Sequence, residues 1–140
     1  MIIENYKNYQ IVRLDPETNK QAGALETAPY ALSLSGGLGS AIAAERAIQR
    51  YGRENVTLWF ADVLKEDEDL YRFLYDLMAR WSGKLYWFTS GLRPEDVWEK
   101  KKIIPNTMIA PCSYDLKVKY WLSRALRDQG CDKTGGERDF

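Results

Sequence analysis

The sequence predicts an α/β protein: a three-layer α/β/α sandwich around a mostly parallel sheet. Two observations carry this. Short apolar runs, Tyr30 to Leu34, Val56 to Ala61 and Lys84 to Thr89, alternate with amphipathic stretches, and strands alternating with helices close as a parallel sheet with helices on its faces. The first of these runs also breaks into small residues, Ser35-Gly36-Gly37-Leu38-Gly39-Ser40, directly before a helical stretch. In such sheets ligands sit at the carboxyl ends of the strands.

The elements follow in order. Tyr9 to Leu14 reads as a strand, and the polar, turn-prone Asp15 to Pro29 as a loop or hairpin connection. Together residues 1–30 form an N-terminal strand and loop extension. Tyr30 to Leu34 is the next strand. After the glycine loop, Ala41 to Tyr51 places Ile42, Ala43, Ala47, Ile48 and Tyr51 near helical spacing, with Gly52 as the C-terminal stop. Val56 to Ala61 is β-branched and aromatic, hence a buried strand, and it ends at Asp62. Leu70, Phe73, Leu74, Leu77, Met78 and Trp81 fall at i, i+3, i+4, i+7, i+8 and i+11, an amphipathic helix behind an acidic first turn, Glu66 to Asp69. A third strand over Lys84 to Thr89 precedes a short helix from Pro94 to Lys101, with proline at its start. Pro105 and Pro111 bracket a loop. Leu116, Trp121, Leu122, Ala125 and Leu126 suggest a last helix within Asp115 to Asp128, and residues 129–140 read as a flexible tail.

Length and composition narrow the function. At 140 residues, 45% of them apolar, the chain has the size of one domain, with enough apolar residues for a core without disulfides. No window offers the ~20 apolar residues of a membrane helix, and the first residues lack a secretion signal, so the expected compartment is the cytosol, with Cys112 and Cys131 reduced. Twenty basic and 20 acidic residues cancel, which argues against a nucleic-acid strand as the ligand. The absence of histidine removes Ser-His-Asp and Cys-His nucleophile activation and all His-dependent zinc sites. Two cysteines cannot build a four-thiolate metal site, and no protein metal ligands are assigned.

The glycine loop is the strongest chemical signal. Small residues between a strand and a helix let backbone N–H groups converge on an anion, and the helix N-terminus adds partial positive charge. Glycine permits close approach and positive φ, and serine adds a hydroxyl. The competing reading is a tight structural βα turn. A Walker A loop is excluded because no lysine follows Gly39. A dinucleotide fingerprint in the register Gly37-Leu38-Gly39-Ser40-Ala41-Ile42 lacks its third glycine, although Asp62 stands about 20 residues on, where a ribose-binding carboxylate belongs.

Ser35-Gly36-Gly37-Leu38-Gly39-Ser40 resembles the Ser-Gly-Gly-x-Asp-Ser pyrophosphate loop of the PP-loop ATPase superfamily, the adenine nucleotide α-hydrolase-like proteins. Two further segments agree in order and spacing with the branch that contains phosphoadenylyl-sulfate reductase and small phage-type forms. Pro111-Cys112-Ser113-Tyr114-Asp115-Leu116-Lys117 resembles its Cys-(Cys/Ser)-x-x-Leu-Lys segment, and Phe60-Ala61-Asp62-Val63 followed by Glu66 and Glu68 resembles its second strand. The resemblance implies a Rossmann-like, HUP-type sheet that binds ATP or a related adenine nucleotide, with Mg²⁺ as the accompanying ion. Ser35, Gly36, Gly37, Leu38, Gly39 and Ser40 would cradle the phosphates, Ala61 and Asp62 would meet the adenosine, Cys112 would line the site and Lys117 would reach a phosphate or sulfate. Ser40 and Lys117 are the catalytic candidates. Each has a plainer alternative: Lys117 a solvated lysine beside Lys119, Asp62 a strand terminator, Cys112 a small buried filler, Glu66 and Glu68 complements to a helix N-terminus.

The chain departs from the pattern in two places. Gly39 stands where the family has Asp, which weakens α,β-phosphate hydrolysis more than binding. The reductase's C-terminal Glu-Cys-Gly is absent, since Cys131 lies in Gly130-Cys131-Asp132-Lys133, so sulfate reduction is not expected. The expected activity is of the ATP pyrophosphatase or nucleotidyl-transfer type, on phosphate positioning without histidine. The alternatives are a non-catalytic nucleotide-binding or interaction module and a Rossmann-type dinucleotide-binding domain. A homodimer that covers an exposed sheet edge is a further expectation, with five tryptophans and nine tyrosines to supply an interface.

Overall fold

The segment Val56–Asp62 is buried along its whole length, as a strand covered on both faces must be. Around it, the computed structural model describes residues 2–21, 29–102, 116, 117 and 120. In chain order these form β1 (Ile2–Asn5), β2 (Tyr9–Leu14), α1 (Pro16–Gln21), β3 (Tyr30–Leu34), α2 (Leu38–Tyr51), a 3-10 turn (Arg53–Asn55), β4 (Val56–Asp62), α3 (Glu68–Trp81), β5 (Gly83–Thr89) and α4 (Pro94–Lys101). The five strands make one mixed sheet in the order β1-β2-β5-β4-β3. Only β1 is antiparallel to its neighbour; β2, β5, β4 and β3 run parallel. All four therefore end at one edge, and the turns that follow them lie side by side there.

Strand alternation splits the apolar side chains between the two faces. Ile11, Leu34, Val56, Leu58, Phe60, Leu85 and Trp87 pack against Ala41 and Ala44 of α2 and Leu74, Met78 and Trp81 of α3. Val12, Leu14, Trp59, Ala61, Tyr86 and Phe88 form a second cluster on the opposite face, with Tyr120 against it. The spacing read in the sequence for α3 thus turns Leu74, Met78 and Trp81 inward. Fully burying each such side chain stabilises the fold by about 1.5–3 kcal/mol. Glu45 ties the two helices together, accepting from Arg80 at 3.0 Å and from the Trp81 indole.

Three elements differ from expectation. The stretch after Asp15 opens as a helix, because Asp15 and Thr18 cap it reciprocally: the Thr18 N–H donates to Asp15 Oδ1 at 2.8 Å and the Asp15 N–H to Thr18 Oγ1 at 2.8 Å. The extra strand β1 is held by Arg13, which donates to both Glu4 oxygens at 2.6 and 3.3 Å while its guanidinium lies 4.8 Å from the Trp87 ring centroid. Helix α2 begins at Leu38, three residues before its apolar periodicity starts. It stops where expected: Gly52, at φ +89°, donates its N–H to Ile48 O at 2.9 Å. The expected loop between Pro105 and Pro111, Cys112, Cys131 and nearly all of the last helix lie outside the described residues. Among those described, no helix is long and apolar enough to cross a membrane.

The Arg13 hydrogen bond holds the Glu4 carboxyl below its ordinary value of 4.5. A lowered carboxyl contributes stability above its unfolded pKa and loses it as pH falls through the folded one. The difference in unfolding free energy between the protein and Glu4→Gln is therefore expected to be largest above pH 4.5, on the order of 1 kcal/mol for so partly exposed a pair, and to shrink below it. Denaturant titrations across this range check it; a difference that ignores pH would show that the bridge is not what holds β1.

Candidate functional site

At the end of β3 the chain turns through Ser35, Gly36 and Gly37 into α2, and the two serines close this turn on itself. The Ser35 N–H and Ser35 hydroxyl both donate to Ser40 Oγ, at 3.1 and 3.0 Å, and the Ser40 hydroxyl donates to Gly37 O at 3.0 Å. The Gly37 N–H donates to Ser35 Oγ at 3.2 Å. Gly36 sits at φ +87°, and a Cβ there would come within 2.5 Å of Leu70 Cγ, so the first turn of α3 presses on the loop and only glycine fits. Gly39 is the opposite case, with open space within 4 Å of where a side chain would begin.

The first intrahelical bond of α2 runs from the Ala41 N–H to Gly37 O. The N–H groups of Leu38, Gly39 and Ser40 consequently have no intrahelical carbonyl, no side chain caps this end, and the first turn carries no acidic residue. Three uncapped amides at the positive end of a 14-residue helix form the part of the loop suited to an anion. The serine hydroxyls hold the loop's shape. Leu38 is 69% exposed beside these amides.

One strand over, Asp62 ends β4, only 8% exposed, with its carboxylate engaged within the fold. Oδ1 accepts from the Leu64 N–H at 2.8 Å and the Tyr71 hydroxyl at 2.7 Å, and Oδ2 accepts from the Trp87 indole at 3.1 Å. Burial first, and the bond to Asp62 second, push the Tyr71 phenol up to about 12. Leu64 is held at φ +61°, the left-handed region. Three of the carboxylate's four lone-pair sites are thus used, and the geometry gives Asp62 the work of fixing the turn between β4 and α3. Ala61 points into the second core cluster.

Lys117 reaches the same edge. Its neighbour Leu116 is buried against Val63 and Val97, and its ammonium lies 3.9 Å from Glu66 Oε1. Glu66 thus faces Lys117, while capping of α3 falls to Asp67, which accepts the Asp69 N–H at 2.9 Å. The structure therefore brings the glycine loop, Asp62 and Lys117 to one edge of the sheet; Cys112 is outside the described residues. Among those residues, no three acidic or thiol side chains group as a metal site. Sequence reasoning missed Tyr71 and Trp87. The signal for them was indirect: a carboxylate at the end of a buried strand needs buried donors.

Fold and loop together define a class, an α/β protein with a mostly parallel sheet and a glycine-rich βα turn at its carboxyl edge. No protein-family model, curated protein or solved structure matches the chain.

Replacing Gly36 by Ala is expected to cost about 1–3 kcal/mol, from the positive φ and the collision with Leu70. Trimming the obstacle in Gly36→Ala/Leu70→Ala removes the steric part alone, so the double mutant should lie above the sum of the single effects. Chemical denaturation of the four proteins reads this coupling, and strict additivity would contradict the contact.

Proposed function

We propose that this protein binds an adenine nucleotide, ATP or a close relative, at the glycine loop, as a PP-loop protein related to the phosphoadenylyl-sulfate reductase branch but lacking its redox cysteine tail. The observation that carries the reading is the loop itself: a turn closed by Ser35 and Ser40, with Gly36 at positive φ, presenting three uncapped amides of α2. Backbone amides at a helix N-terminus suit a phosphate group, and histidine plays no part in that recognition. Lys117 supplies a point charge from the neighbouring turn. On this reading the full architecture is a three-layer, HUP-type sandwich, and the activity is ATP pyrophosphatase or nucleotidyl transfer assisted by Mg²⁺. Ser40 acts by preserving the loop's shape, since its hydroxyl is the hub of the ring that closes it.

A second reading is favoured by one residue. Gly39 offers no carboxylate where the family has Asp, so the loop suits a binding module that holds the nucleotide without turnover. The dinucleotide reading needs a ribose-binding carboxylate, and Asp62 is committed to Leu64, Tyr71 and Trp87.

Titration calorimetry with ATP and Mg²⁺ is expected to show saturable binding that weakens at least tenfold in Ser40→Ala and in Lys117→Ala. Release of pyrophosphate above background, lost in the same variants, identifies the enzyme; binding without release identifies the module. No heat with any adenine nucleotide would defeat both readings, and preference for NAD(H) would restore the dinucleotide one.

A further inference from the structure

Two neighbouring residues in the first turn of α3 face different parts of the carboxyl edge. Leu70 stands against the glycine loop: its Cγ and both Cδ atoms lie 2.5–2.7 Å from where a Cβ on Gly36 would be. Tyr71 stands against the turn after β4. Its hydroxyl donates to Asp62 Oδ1 at 2.7 Å, the same oxygen that accepts the Leu64 N–H. The Glu66 main chain also hydrogen-bonds the phenol, so one hydroxyl joins the two ends of the segment from residue 62 to residue 66. The Glu66 carboxylate faces Lys117, 3.9 Å from its ammonium. The Tyr71 ring is fixed separately, stacked on Trp87 with centroids 5.7 Å apart, and Leu70 and Tyr71 both pack against the core beneath α3. Consecutive residues of a helix share one stiff backbone, here with the N–H groups of Leu70 and Tyr71 both bonded back to Asp67 O. A displacement of Tyr71 therefore carries Leu70 with it.

We propose that Tyr71 is a positioning residue for the candidate anion site: its hydroxyl holds the turn that sets Glu66 opposite Lys117, and through Leu70 it holds Gly36 and the loop amides behind it. The two halves of the site thereby keep one geometry. The hydroxyl is the working part, since the ring is already seated on Trp87. A buried carboxylate needs its donors, and without the phenol Asp62 Oδ1 keeps only the Leu64 N–H. The turn then resettles, the first turn of α3 moves with it, and Leu70 no longer bounds Gly36. That the positioned amides receive a phosphate rests on the nucleotide reading; the coupling between Tyr71 and the loop does not. Tyr75, one turn further along α3, is the matched control. It too lies against Trp87, with centroids 5.8 Å apart, but its hydroxyl accepts from Arg13 of β2 at 3.1 Å.

The test compares the full ¹⁵N-labelled chain with Tyr71→Phe, Tyr75→Phe and Leu70→Ala, by backbone amide spectra and by calorimetric titration with inorganic pyrophosphate. Tyr71→Phe is expected to shift the amides of Leu64 and Glu66 and also those of residues 36–40, whereas Tyr75→Phe leaves both groups in place. Leu70→Ala, further along the relay, moves residues 36–40 and leaves Leu64. Pyrophosphate affinity falls about fivefold or more in Tyr71→Phe and stays within about twofold in Tyr75→Phe, as loss of preorganisation at one site requires. Loop amides unmoved in Tyr71→Phe, or moved as far in Tyr75→Phe, overturn the proposal: Tyr71 then stabilises the fold and nothing more. Should Tyr71→Phe not fold, Leu70→Ala decides in its place. Residues 36–40 unmoved in it overturn the relay, and residues 36–40 moved with weakened pyrophosphate binding sustain it. Pyrophosphate bound equally by the parent chain and Tyr71→Phe defeats the positioning role alone. A loop displaced in Tyr71→Phe with no pyrophosphate binding by the parent chain keeps the relay and defeats the nucleotide reading.

Discussion

The carboxylate of Asp62 is the constraint on which the carboxyl edge depends. A buried carboxylate is stable only when its oxygens are hydrogen-bonded, and here the three donors come from three different elements: the turn after β4, α3 through Tyr71 and β5 through Trp87. Hydrogen bonds to a charged group are worth about 1.5–3 kcal/mol each, enough to fix the register of a turn that carries a left-handed leucine. Trp87 continues the chain of contacts, stacking with Tyr71 on one side and lying under the Arg13 guanidinium on another. Through Arg13 and Glu4 it extends to the outermost strand.

This constraint sets where α3 begins, and the start of α3 in turn shapes the glycine loop. Leu70, one residue before Tyr71, occupies the space a Cβ on Gly36 would need. The loop is thus fitted from two sides, by its own serine ring and by the apolar end of α3. Such preorganisation matters for anion recognition, because amides already aimed at the ligand need no reordering when it arrives. On the proposed reading, a chain with neither histidine nor net charge would recognise an anion through helix-end amides and one lysine in place of bulk charge.

What was legible in the sequence follows the strength of its local signals. The β-branched and aromatic run of β4 announced a strand buried on both faces, and the repeat from Leu70 to Trp81 announced α3. Gly52 marked the end of α2 because its left-handed stop has a strong residue preference. The start of α2 was obscured, since Leu38, Gly39 and Ser40 carry no helical periodicity, and tertiary fit of the loop overrides the weak propensity of glycine. Helix α1 hid in a polar stretch where Asp15-Pro16-Glu17-Thr18 spelled an N-cap and a first-turn proline. Strand β1 had only four residues, three of them exposed, so no buried face marked it in the sequence. The site divides the same way: the loop was readable as a motif, whereas the partners of Asp62 come from other strands and helices and leave no mark at a fixed spacing.

The claim at the centre is that the helix-end amides of the glycine loop receive a phosphate group. A crystal structure of the chain grown with ATP and Mg²⁺ tests it most directly. The account predicts phosphate oxygens within hydrogen-bonding distance of the amide nitrogens of Leu38, Gly39 and Ser40, with the Ser35–Ser40 bond retained. A nucleotide seated elsewhere, with these amides bound only to water, would contradict it.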